Sequence, residues 1–244
     1  MENTMDNYVD IHSHILYGID DGSKSLDESI NIIKQHIEMG FKDIVVTPHY
    51  IKNSDYITNN KEKEKILKTL KKEFNNINLY LGNEVFINNN IEELLNNNEI
   101  STINGSKYLL IELPLHNKIK NATDIIYELR IKGIIPIIAH PERYEFVQKN
   151  PDSVDELIEE GAILQANYGS IIGVYGEHSK KTIKKLLKKN KISLFATDIH
   201  FPNNKIYQNM DTIRKKLIKI IGEEKYIDLT ITNPKKIINN EKLV

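Results

Sequence analysis

The 244-residue chain contains no cysteine. This absence excludes disulfide bonds, metal sites built from thiolates and every mechanism in which a cysteine is the nucleophile. Arginine is also scarce, because only Arg130, Arg143 and Arg214 occur in a chain that is rich in lysine. A catalytic or metal site in this protein must therefore use groups other than a thiolate.

Long apolar segments are absent as well. No apolar run approaches the roughly 20 residues that a helix needs to cross a bilayer. Residues 1–4 lack the basic stretch, followed by an apolar one, that begins a secretion signal. We therefore expect a cytoplasmic protein that does not insert into a membrane.

Neither sign of charge dominates the whole chain. The formal net charge is -1 at pH 7, which does not favour a nucleic acid as the partner. The lysine-rich stretch 61–72 also carries glutamates and has a helical pattern, so it predicts a solvated helix face.

Short apolar runs alternate with amphipathic stretches along the whole chain. The runs predict seven strands, at residues 8–12, 43–47, 78–82, 108–113, 134–139, 163–166 and 192–196. Ser25 begins a capping box, and Asn150 and Asn233 each precede a proline as expected helix N-caps. Gly40 and Gly161 lie where helices are expected to end.

This alternation predicts an α/β fold built from βαβ units around a parallel sheet. Seven strands could form an open doubly wound sheet or close into a barrel. No Gly-x-Gly-x-x-Gly motif follows the first strand, so a dinucleotide site is not supported. The chain has no internal repeat or linker, and we expect a single domain over residues 1–244.

Histidines and carboxylates recur at the ends of the predicted strands. They are His12 and His14 after the first strand, His49 after the second, Glu84 after the third, Glu112 in the fourth, His140 after the fifth, and Asp198 and His200 after the last. In a parallel barrel these ends share one mouth, where active sites are built. The closed barrel is therefore the favoured arrangement.

The spacing within this set favours metal binding. Residues i and i+2 of an extended strand point to the same face, so His12 and His14 can bind one ion together. Asp198 and His200 have the same spacing at the far end of the chain. Asp21 is close enough to His14 in sequence to join them.

Each of these residues also has a simpler interpretation. One His-x-His pair can be a surface feature, Glu112 can be a buried structural carboxylate, and His49 can merely end a strand. Together they favour metal, because five of eight histidines gather at strand ends and buried carboxylates require positive charge. No role is assigned to His36, His116 or His178.

The ligand types restrict the metal. Imidazole and carboxylate without thiolate suit manganese, iron or zinc. Asp21, Glu84, Glu112 and Asp198 would carry four negative charges, which two divalent ions neutralise and three exceed. A site with three ions would be positive and would suit a phosphate dianion. Clustered ions also convert bound water to hydroxide near neutral pH.

Arg143 follows three residues after His140. A planar guanidinium binds two phosphate oxygens at once, which lysine cannot do. The alternative role is a structural salt bridge, for example with Glu142. Arg143 is our candidate for a phosphate-binding catalytic residue.

The motifs that carry these residues resemble the polymerase and histidinol phosphatase (PHP) superfamily, and most of all its bacterial tyrosine-phosphatase branch from capsule and exopolysaccharide gene clusters. The matching segments are DIHSH at 10–14, GIDDG at 18–22, TPH at 47–49, GNE at 82–84, LIE at 110–112, IAHPER at 138–143 and TDIH at 197–200. Asn233 and Pro234 stand where that branch starts its last helix.

The resemblance implies a distorted (β/α)7 TIM-like barrel of the PHP type with three divalent metal ions, usually Mn2+. It also implies hydrolysis of phosphotyrosine on a membrane-associated bacterial tyrosine kinase that controls capsule or exopolysaccharide synthesis. Our hypothesis for the mechanism is direct attack of a metal-activated hydroxide on phosphorus. By position, the implied metal ligands are His12, His14, Asp21, His49, Glu84, Glu112, His140, Asp198 and His200, and Arg143 binds the phosphate.

Two positions depart from the pattern of that branch. Lys205 is the nearest basic residue where a second arginine is common, and Phe201 replaces a polar residue. Three other functions remain open at this stage. They are a small-molecule phosphatase acting on a compound such as histidinol phosphate, an amidohydrolase, and a non-catalytic scaffold. Amidohydrolases usually have a bridging lysine, and here Glu84 and Glu112 occupy the corresponding strands.

Overall fold

The computed structural model describes residues 7–243, so the residues 1–4 discussed above lie outside the described part. The strands are β1 (Tyr8–Asp10), β2 (Phe41–Val46), β3 (His49–Tyr50), β4 (Asn78–Leu81), β5 (Glu84–Phe86), β6 (Tyr108–Glu112), β7 (Ile135–Ala139), β8 (Ile163–Asn167) and β9 (Leu194–Ala196). The helices are α1 (Leu26–Glu38), α2 (Asn60–Glu73), α3 (Ile91–Asn96), α4 (Ala122–Ile131), α5 (Glu145–Lys149), α6 (Asp155–Glu159), α7 (Tyr168–Ile172), α8 (Gly176–Lys188), α9 (Lys205–Ile221), α10 (Glu223–Ile227) and α11 (Asn233–Ile238). Short 3-10 turns occupy Ile103–Gly105, Pro141–Arg143 and Pro151–Val154, and a π-helical turn at Asp228–Thr232 joins α10 to α11.

The strands form two parallel sheets, which confirms the predicted α/β class. One sheet has the order β1-β2-β4 and the other has the order β3-β5-β6-β7-β8-β9. Every pair of neighbouring strands is parallel. The crossovers between them contain helices, as parallel pairing requires.

All seven predicted strands are present, but two of them are followed by a second short strand in the other sheet. β2 ends at Val46 and β3 begins at His49, while β4 ends at Leu81 and β5 begins at Glu84. Pro48 lies in the first gap and has no N–H for a ladder. In the second gap the Asn83 side chain donates to the Pro48 carbonyl over 3.0 Å. The Glu84 N–H donates to the same carbonyl over 3.1 Å, so backbone pairing resumes where the chain enters the other sheet.

The strands are buried on both faces. Alternate residues of β6 enter two different apolar clusters: Leu109 and Ile111 pack among the helices, whereas Tyr108 and Leu110 pack with residues of the other strands. This is the pattern of a parallel sheet covered on both sides, and it explains why the strands appear in sequence as continuous apolar runs.

Most of the predicted helix ends are confirmed. The Ser25 side chain accepts from the Glu28 N–H, and the Asn150 side chain accepts from the Asp152 N–H. Gly40 and Gly161 follow helices with a φ of +90°. The cap predicted at Asn233 is wrong: this residue is helical, and its side chain donates to the Ser193 carbonyl instead. The helix continues through it because that tertiary contact uses the side chain that would have capped.

The segments that follow the first and last strands are hydrogen-bonded to each other. The His14 N–H donates to the Ile199 carbonyl over 2.8 Å, and the Asp198 N–H donates to the His12 carbonyl over 2.9 Å. On the other side of the first segment, the Thr47 N–H donates to the Ser13 carbonyl over 2.8 Å. The carboxyl ends of β1, β2 and β9 therefore meet.

The C-terminal residues cover the opposite ends of the strands. Ile237 and Ile238 of α11 pack in the cluster that contains Val9 and Leu194. The Tyr108 hydroxyl, at the start of β6, donates to the Glu241 carbonyl over 2.7 Å. Within residues 7–243, no helix combines the length and the apolar character needed to span a bilayer.

Candidate metal centre

The structure brings together all ten residues that the sequence nominated. Most lie at or just beyond the carboxyl end of a strand, and Asp21 lies in the loop after β1. His49 and Glu84 are the first residues of β3 and β5, directly after the ends of β2 and β4. Parallel pairing places His49 opposite Glu84, and Phe86 opposite Glu112. The register of the sheet therefore aligns carboxylates and imidazoles that are far apart in sequence.

The deepest group contains His12, His14, Glu84 and Asp198, and all four are buried. The two Nε2 atoms of the histidines lie 3.1 Å apart, and Glu84 Oε2 lies 3.2 Å from each of them. Asp198 Oδ1 lies 3.3 Å from His12 Nε2 and 3.5 Å from His14 Nε2. Four ligand atoms thus surround one small volume, as at an ion site.

A second group of potential ligands lies nearer the surface. It contains His14, Asp21, His49 and His200. Asp21 Oδ1 lies 3.2 Å from His49 Nδ1 and 3.5 Å from His200 Nε2. The His14 and His200 rings are stacked, with their centroids 3.9 Å apart. His14 therefore belongs to both groups, which places the two candidate positions side by side.

The third group is formed by His49, Glu84 and Glu112. His49 Nε2 lies 3.1 Å from Glu84 Oε2 and 3.9 Å from Glu112 Oε2. His140 Nε2 approaches the other oxygens of the same two carboxylates, at 3.0 Å from Glu84 Oε1 and 3.7 Å from Glu112 Oε1. His140 adjoins this group without belonging to any of the three tight groups.

Two of these residues have an unusual backbone conformation. His140 has a φ of +33° and Asp198 has a φ of +54°. A left-handed conformation is uncommon for residues other than glycine, and it persists where the surrounding structure enforces it. In both cases the conformation turns a side chain at the end of a strand towards the shared cluster.

Asp20 orients two of the histidines, whereas the sequence pattern predicted a role only for its neighbour Asp21. Asp20 Oδ2 accepts from His14 Nδ1 over 2.8 Å and from the His49 N–H over 2.9 Å, while Oδ1 accepts from the Gly22 N–H. Only glycine fits at position 22, because a Cβ there would lie 2.2 Å from the His14 carbonyl oxygen. The GIDDG motif was the available signal.

Gln165 orients His12 in a similar way. Gln165 Oε1 lies 2.8 Å from His12 Nδ1, Gln165 Nε2 donates to Asn167 Oδ1, and Asn167 Nδ2 donates to Asp198 Oδ2. Both amides are fully buried on β8. The apolar run of β8 predicted a strand with no role in the site, although a glutamine two residues before an asparagine in that run was a usable signal.

The electrostatics favour a positive charge in this cluster. Burial lowers the pKa of His12, but Glu84 and Asp198 outweigh burial, so the pKa is raised. Burial and the charge of Glu84 together raise the pKa of Glu112 to about 7, although His49 and Arg143 oppose them. Both shifts show that the carboxylates of the cluster attract positive charge, which divalent cations would also supply.

The tautomers of the two innermost histidines also fit a metal. Because the Gln165 amide donates to Asn167, its oxygen faces His12 and accepts a proton from Nδ1. Asp20 likewise accepts from His14 Nδ1. When these imidazoles are neutral, each Nε2 carries the lone pair that an ion would use, and the two Nε2 atoms lie 3.1 Å apart. Such an arrangement is the donor set of an ion site with supporting hydrogen bonds.

Arg143 lies at the edge of this cluster. Its Nη1 donates to Asp198 Oδ2 over 2.8 Å, and its guanidinium carbon lies 4.6 Å from the centre of the Tyr175 ring. Burial lowers the pKa of Arg143, but Asp198 and Tyr175 outweigh burial and raise it, so the group stays charged. The alternative partner, Glu142, instead accepts from the Asn167 N–H and from the Ser170 hydroxyl.

The remaining basic and histidine positions lie outside the cluster. His116 is exposed and pairs with Glu145 over 2.8 Å, and His178 is exposed on α8. His36 is buried and lies 3.0 Å from Asp10 Oδ2, which also accepts from Thr197. Lys205 is exposed at the first residue of α9. His36 thus has a structural role that the sequence did not indicate.

Comparisons with known proteins agree with this geometry. Residues 8–239 match the family described as "Capsular polysaccharide synthesis, CpsB/CapC". The chain is 37% identical over 240 residues to CapC of Staphylococcus aureus, covering 96% of this chain and 92% of that protein. It is 31% identical over 244 residues to the tyrosine-protein phosphatase CpsB of Streptococcus pneumoniae, covering 96% and 99%.

The fold of the chain also matches that of a solved structure. A chain from the crystal structures of YwqE from Bacillus subtilis and CpsB from Streptococcus pneumoniae, described as unique metal-dependent tyrosine phosphatases, superposes with a TM-score of 0.84. That match has 30% sequence identity and covers 97% of this chain and 96% of the other. The chain therefore belongs to the CpsB/CapC family of capsular polysaccharide synthesis proteins.

Proposed function

We propose that this protein is a metal-dependent protein-tyrosine phosphatase. The observation that carries the proposal is one cluster in which three groups of histidines and carboxylates adjoin a charged arginine. Relatives at this level of identity are named tyrosine-protein phosphatases. The absence of cysteine means that the chain must hydrolyse phosphotyrosine without a thiolate nucleophile.

The scaffold that we propose is a distorted (β/α)7 barrel forming one domain over residues 1–244. Two features support closure. First, β3 directly follows β2 along the chain and β5 directly follows β4, so both chain segments run from one sheet into the other. Second, the segments after β1 and β9 are joined by backbone hydrogen bonds between His14 and Ile199 and between Asp198 and His12. The family match over residues 8–239 supports a single domain.

The cofactors that we propose are three divalent metal ions, with Mn2+ as the first choice and Fe or Zn as alternatives. Three overlapping groups of ligand atoms support three positions. The nine ligands would be His12, His14, Asp21, His49, Glu84, Glu112, His140, Asp198 and His200. With four carboxylates among neutral imidazoles, three divalent ions give a net positive site that attracts a phosphate dianion.

The bound metals would ionise water near neutral pH and stabilise charge on the phosphate oxygens. Arg143 would bind two oxygens of the phosphate in bidentate fashion. The Tyr175 ring keeps the guanidinium plane in place, since the two groups lie 4.6 Å apart. Binding of phosphate would replace the present contact between Arg143 and Asp198. Phenolate is a good leaving group, so these groups suffice without a separate acid.

We also propose that the natural substrate is a phosphotyrosine protein in the cytoplasm, with a membrane-associated bacterial tyrosine kinase of capsule synthesis as the foremost candidate. The family description and the names of the relatives support this choice. A small-molecule phosphatase would use the same metal centre, so the choice of substrate has to be tested directly.

The test is a side-by-side assay of the manganese-loaded protein on a phosphotyrosine peptide, a phosphoserine peptide and histidinol phosphate, with and without chelator. We expect chelator-sensitive release of phosphate, with preference for phosphotyrosine. Asp198→Ala should be inactive, whereas Asp211→Ala on the exposed face of α9 should match the parent protein. Preference for histidinol phosphate would contradict the tyrosine assignment, and a metal-independent reaction would contradict the mechanism.

A further inference from the structure

Positive charge is concentrated on one part of this nearly neutral molecule. Residues 180–219 contain twelve Lys and Arg but only two Asp and Glu, whereas the whole chain has a net charge of -1. The distribution differs from that of α2, where glutamates are interspersed among the lysines. A solvated helix face normally carries both signs, so α8 and the second half of α9 are exceptional.

These lysines surround a cleft of about 430 Å³. Five lysines line it: Lys180, Lys184 and Lys188 from α8, and Lys216 and Lys219 from α9. Ile171, which is fully buried beneath the cleft, and the half-buried Ile220 also line it. Lys180 pairs with Glu177, but within residues 7–243 none of the other four lysines has an acidic partner within 4.0 Å.

The arrangement carries a cost in stability. Lys180, Lys184 and Lys188 follow one another at intervals of four residues, and like charges at this spacing destabilise a helix. Glu177 at the start of α8 interacts with Lys184 only at longer range, and among the described residues no carboxylate lies within 4.0 Å of Lys184 or Lys188. A negatively charged partner in the cleft would relieve the repulsion.

Two of the three helices that line the cleft begin at the metal centre. α7 follows Asn167, which donates to Asp198, and α8 follows Tyr175, which lies against Arg143. At about 1.5 Å per helical residue, Lys184 lies roughly 13 Å from Tyr175 along α8, and Lys188 lies roughly 20 Å away. An extended peptide spans these distances with about four to six residues.

We propose that this lysine cleft binds an acidic segment of the phosphoprotein substrate, located about four to six residues from the phosphotyrosine. This inference rests on the proposed function, since it assigns the flanking chemistry of the same substrate. The concave shape of the lysine-lined cleft fits an extended acidic polypeptide better than it fits a flat membrane surface. The cleft residues include no aromatic ring on which a nucleic-acid base could stack.

The experiment compares two variants with the same change of charge. In the cleft variant Lys184, Lys188, Lys216 and Lys219 are replaced by Gln. In the control variant Lys61, Lys65, Lys68 and Lys72, which are exposed on α2, are replaced by Gln. The manganese-loaded proteins are assayed on three substrates: a phosphotyrosine peptide with glutamates beginning four residues from the phosphotyrosine, its glutamine counterpart, and p-nitrophenyl phosphate.

We expect the cleft variant to raise KM for the acidic peptide by about tenfold at low salt, with kcat unchanged, because several screened charge contacts are lost together. Its reaction with the glutamine peptide and with p-nitrophenyl phosphate should not change, and the α2 variant should match the parent protein. Equal changes for both peptides, or an equal effect of the α2 variant, would overturn the proposal.

A binding measurement separates this proposal from the proposed function. Fluorescence anisotropy is recorded with an acidic peptide that lacks phosphotyrosine, and duplex DNA and anionic phosphatidylglycerol vesicles are added as competitors. Loss of peptide binding only in the cleft variant would support docking even if the parent protein hydrolysed no phosphotyrosine. Hydrolysis with no difference in binding between the two variants would refute docking alone, and stronger binding of DNA or vesicles would overturn the choice of a peptide.

Discussion

His12 Nδ1 lies 2.8 Å from Gln165 Oε1, and this contact determines which nitrogen of His12 faces the candidate metal centre. The contact is the first in a buried sequence of hydrogen bonds. Gln165 donates to Asn167 over 2.8 Å, and Asn167 donates to Asp198 over 2.7 Å. The amides thus connect His12 to Asp198 and orient both side chains.

Replacement of Gln165 by Leu should weaken metal binding by about 10- to 100-fold, the usual effect of removing a residue that orients a ligand. We expect a higher manganese concentration at half-maximal activity, with most of the turnover restored at saturating metal. Manganese titration of phosphatase activity measures this. Gln35→Leu, at a position outside the metal centre, is the control, and an unchanged manganese requirement in Gln165→Leu would refute the orienting role.

The neighbouring residues Asp20 and Asp21 should respond differently to replacement by asparagine. Asp20→Asn should raise the metal requirement, because His14 Nδ1 and the His49 N–H both depend on the negatively charged oxygen of Asp20. Burial raises the pKa of Asp20, but the interaction with His14 outweighs burial and keeps the carboxyl ionised. Asp21→Asn should reduce maximal turnover as well, since Asp21 belongs to a ligand group. Isothermal titration with Mn2+ and turnover assays separate the two effects.

The sequence predicted much of this fold because the signals were local. All seven strand positions were found from apolar runs, and the cap at Ser25 was found from a four-residue pattern. The transfer from β2 to β3 was missed, because it involves contacts that are distant in sequence: the Pro48 carbonyl accepts from the Asn83 side chain, 35 residues away, and from the Glu84 N–H. The helical state of Asn233 was missed for the same reason, since its side chain bonds to Ser193 in a distant loop.

In the candidate site, too, local signals were predictive and contacts between residues distant in sequence were missed. Residues at strand ends were predicted as ligands because parallel strands bring those ends together. Gln165 and His36 were missed because their roles are defined by partners more than 20 residues away, His12 and Asp10. The left-handed backbone of His140 was equally inaccessible from sequence.

Metal removal should lower thermal stability as well as activity. Without cations the cluster keeps Glu84 and Asp198 close together, and added Mn2+ should raise the Tm by binding only to the folded state. Asp198→Ala and His49→Ala should abolish turnover, retain the native circular dichroism spectrum and show a smaller rise in Tm with Mn2+. A full manganese-dependent rise in Tm in both variants would contradict the ligand assignment.

Arg143→Ala should reduce kcat/KM for the phosphotyrosine peptide. The reduction should correspond to a loss of about 1.5–3 kcal/mol of transition-state stabilisation, the scale of a hydrogen bond to a charged group. Arg143→Lys should recover little of this loss, because an ammonium group cannot bind two oxygens in parallel or stack flat on Tyr175. Full activity of Arg143→Ala at low substrate would show that the arginine has only a structural role. Arg214→Ala, far from the cluster, is the matched control.

The pH dependence of stability should contain a contribution from Glu142. Burial raises the pKa of this carboxyl from 4.5 to about 7, although Ser170 and Asn167 donate hydrogen bonds that oppose the effect. The folded protein therefore holds a proton that the unfolded chain releases between about pH 4.5 and pH 7. In this window the unfolded state binds fewer protons, so the free energy of unfolding decreases as the pH rises and is constant above about 7 with respect to this group.

Glu142→Gln should remove that contribution, because the amide has nearly the same shape and does not titrate. The difference in unfolding free energy, variant minus parent protein, should increase by about 2–4 kcal/mol from pH 4.5 to pH 8, because each pKa unit corresponds to 1.36 kcal/mol. Urea unfolding of both proteins at several pH values, each with saturating Mn2+, measures the difference and cancels the pH dependence of metal binding that they share. A difference that stays constant from pH 4.5 to pH 8 would mean that Glu142 is ionised in the folded protein, balanced by Arg143 next to it in sequence.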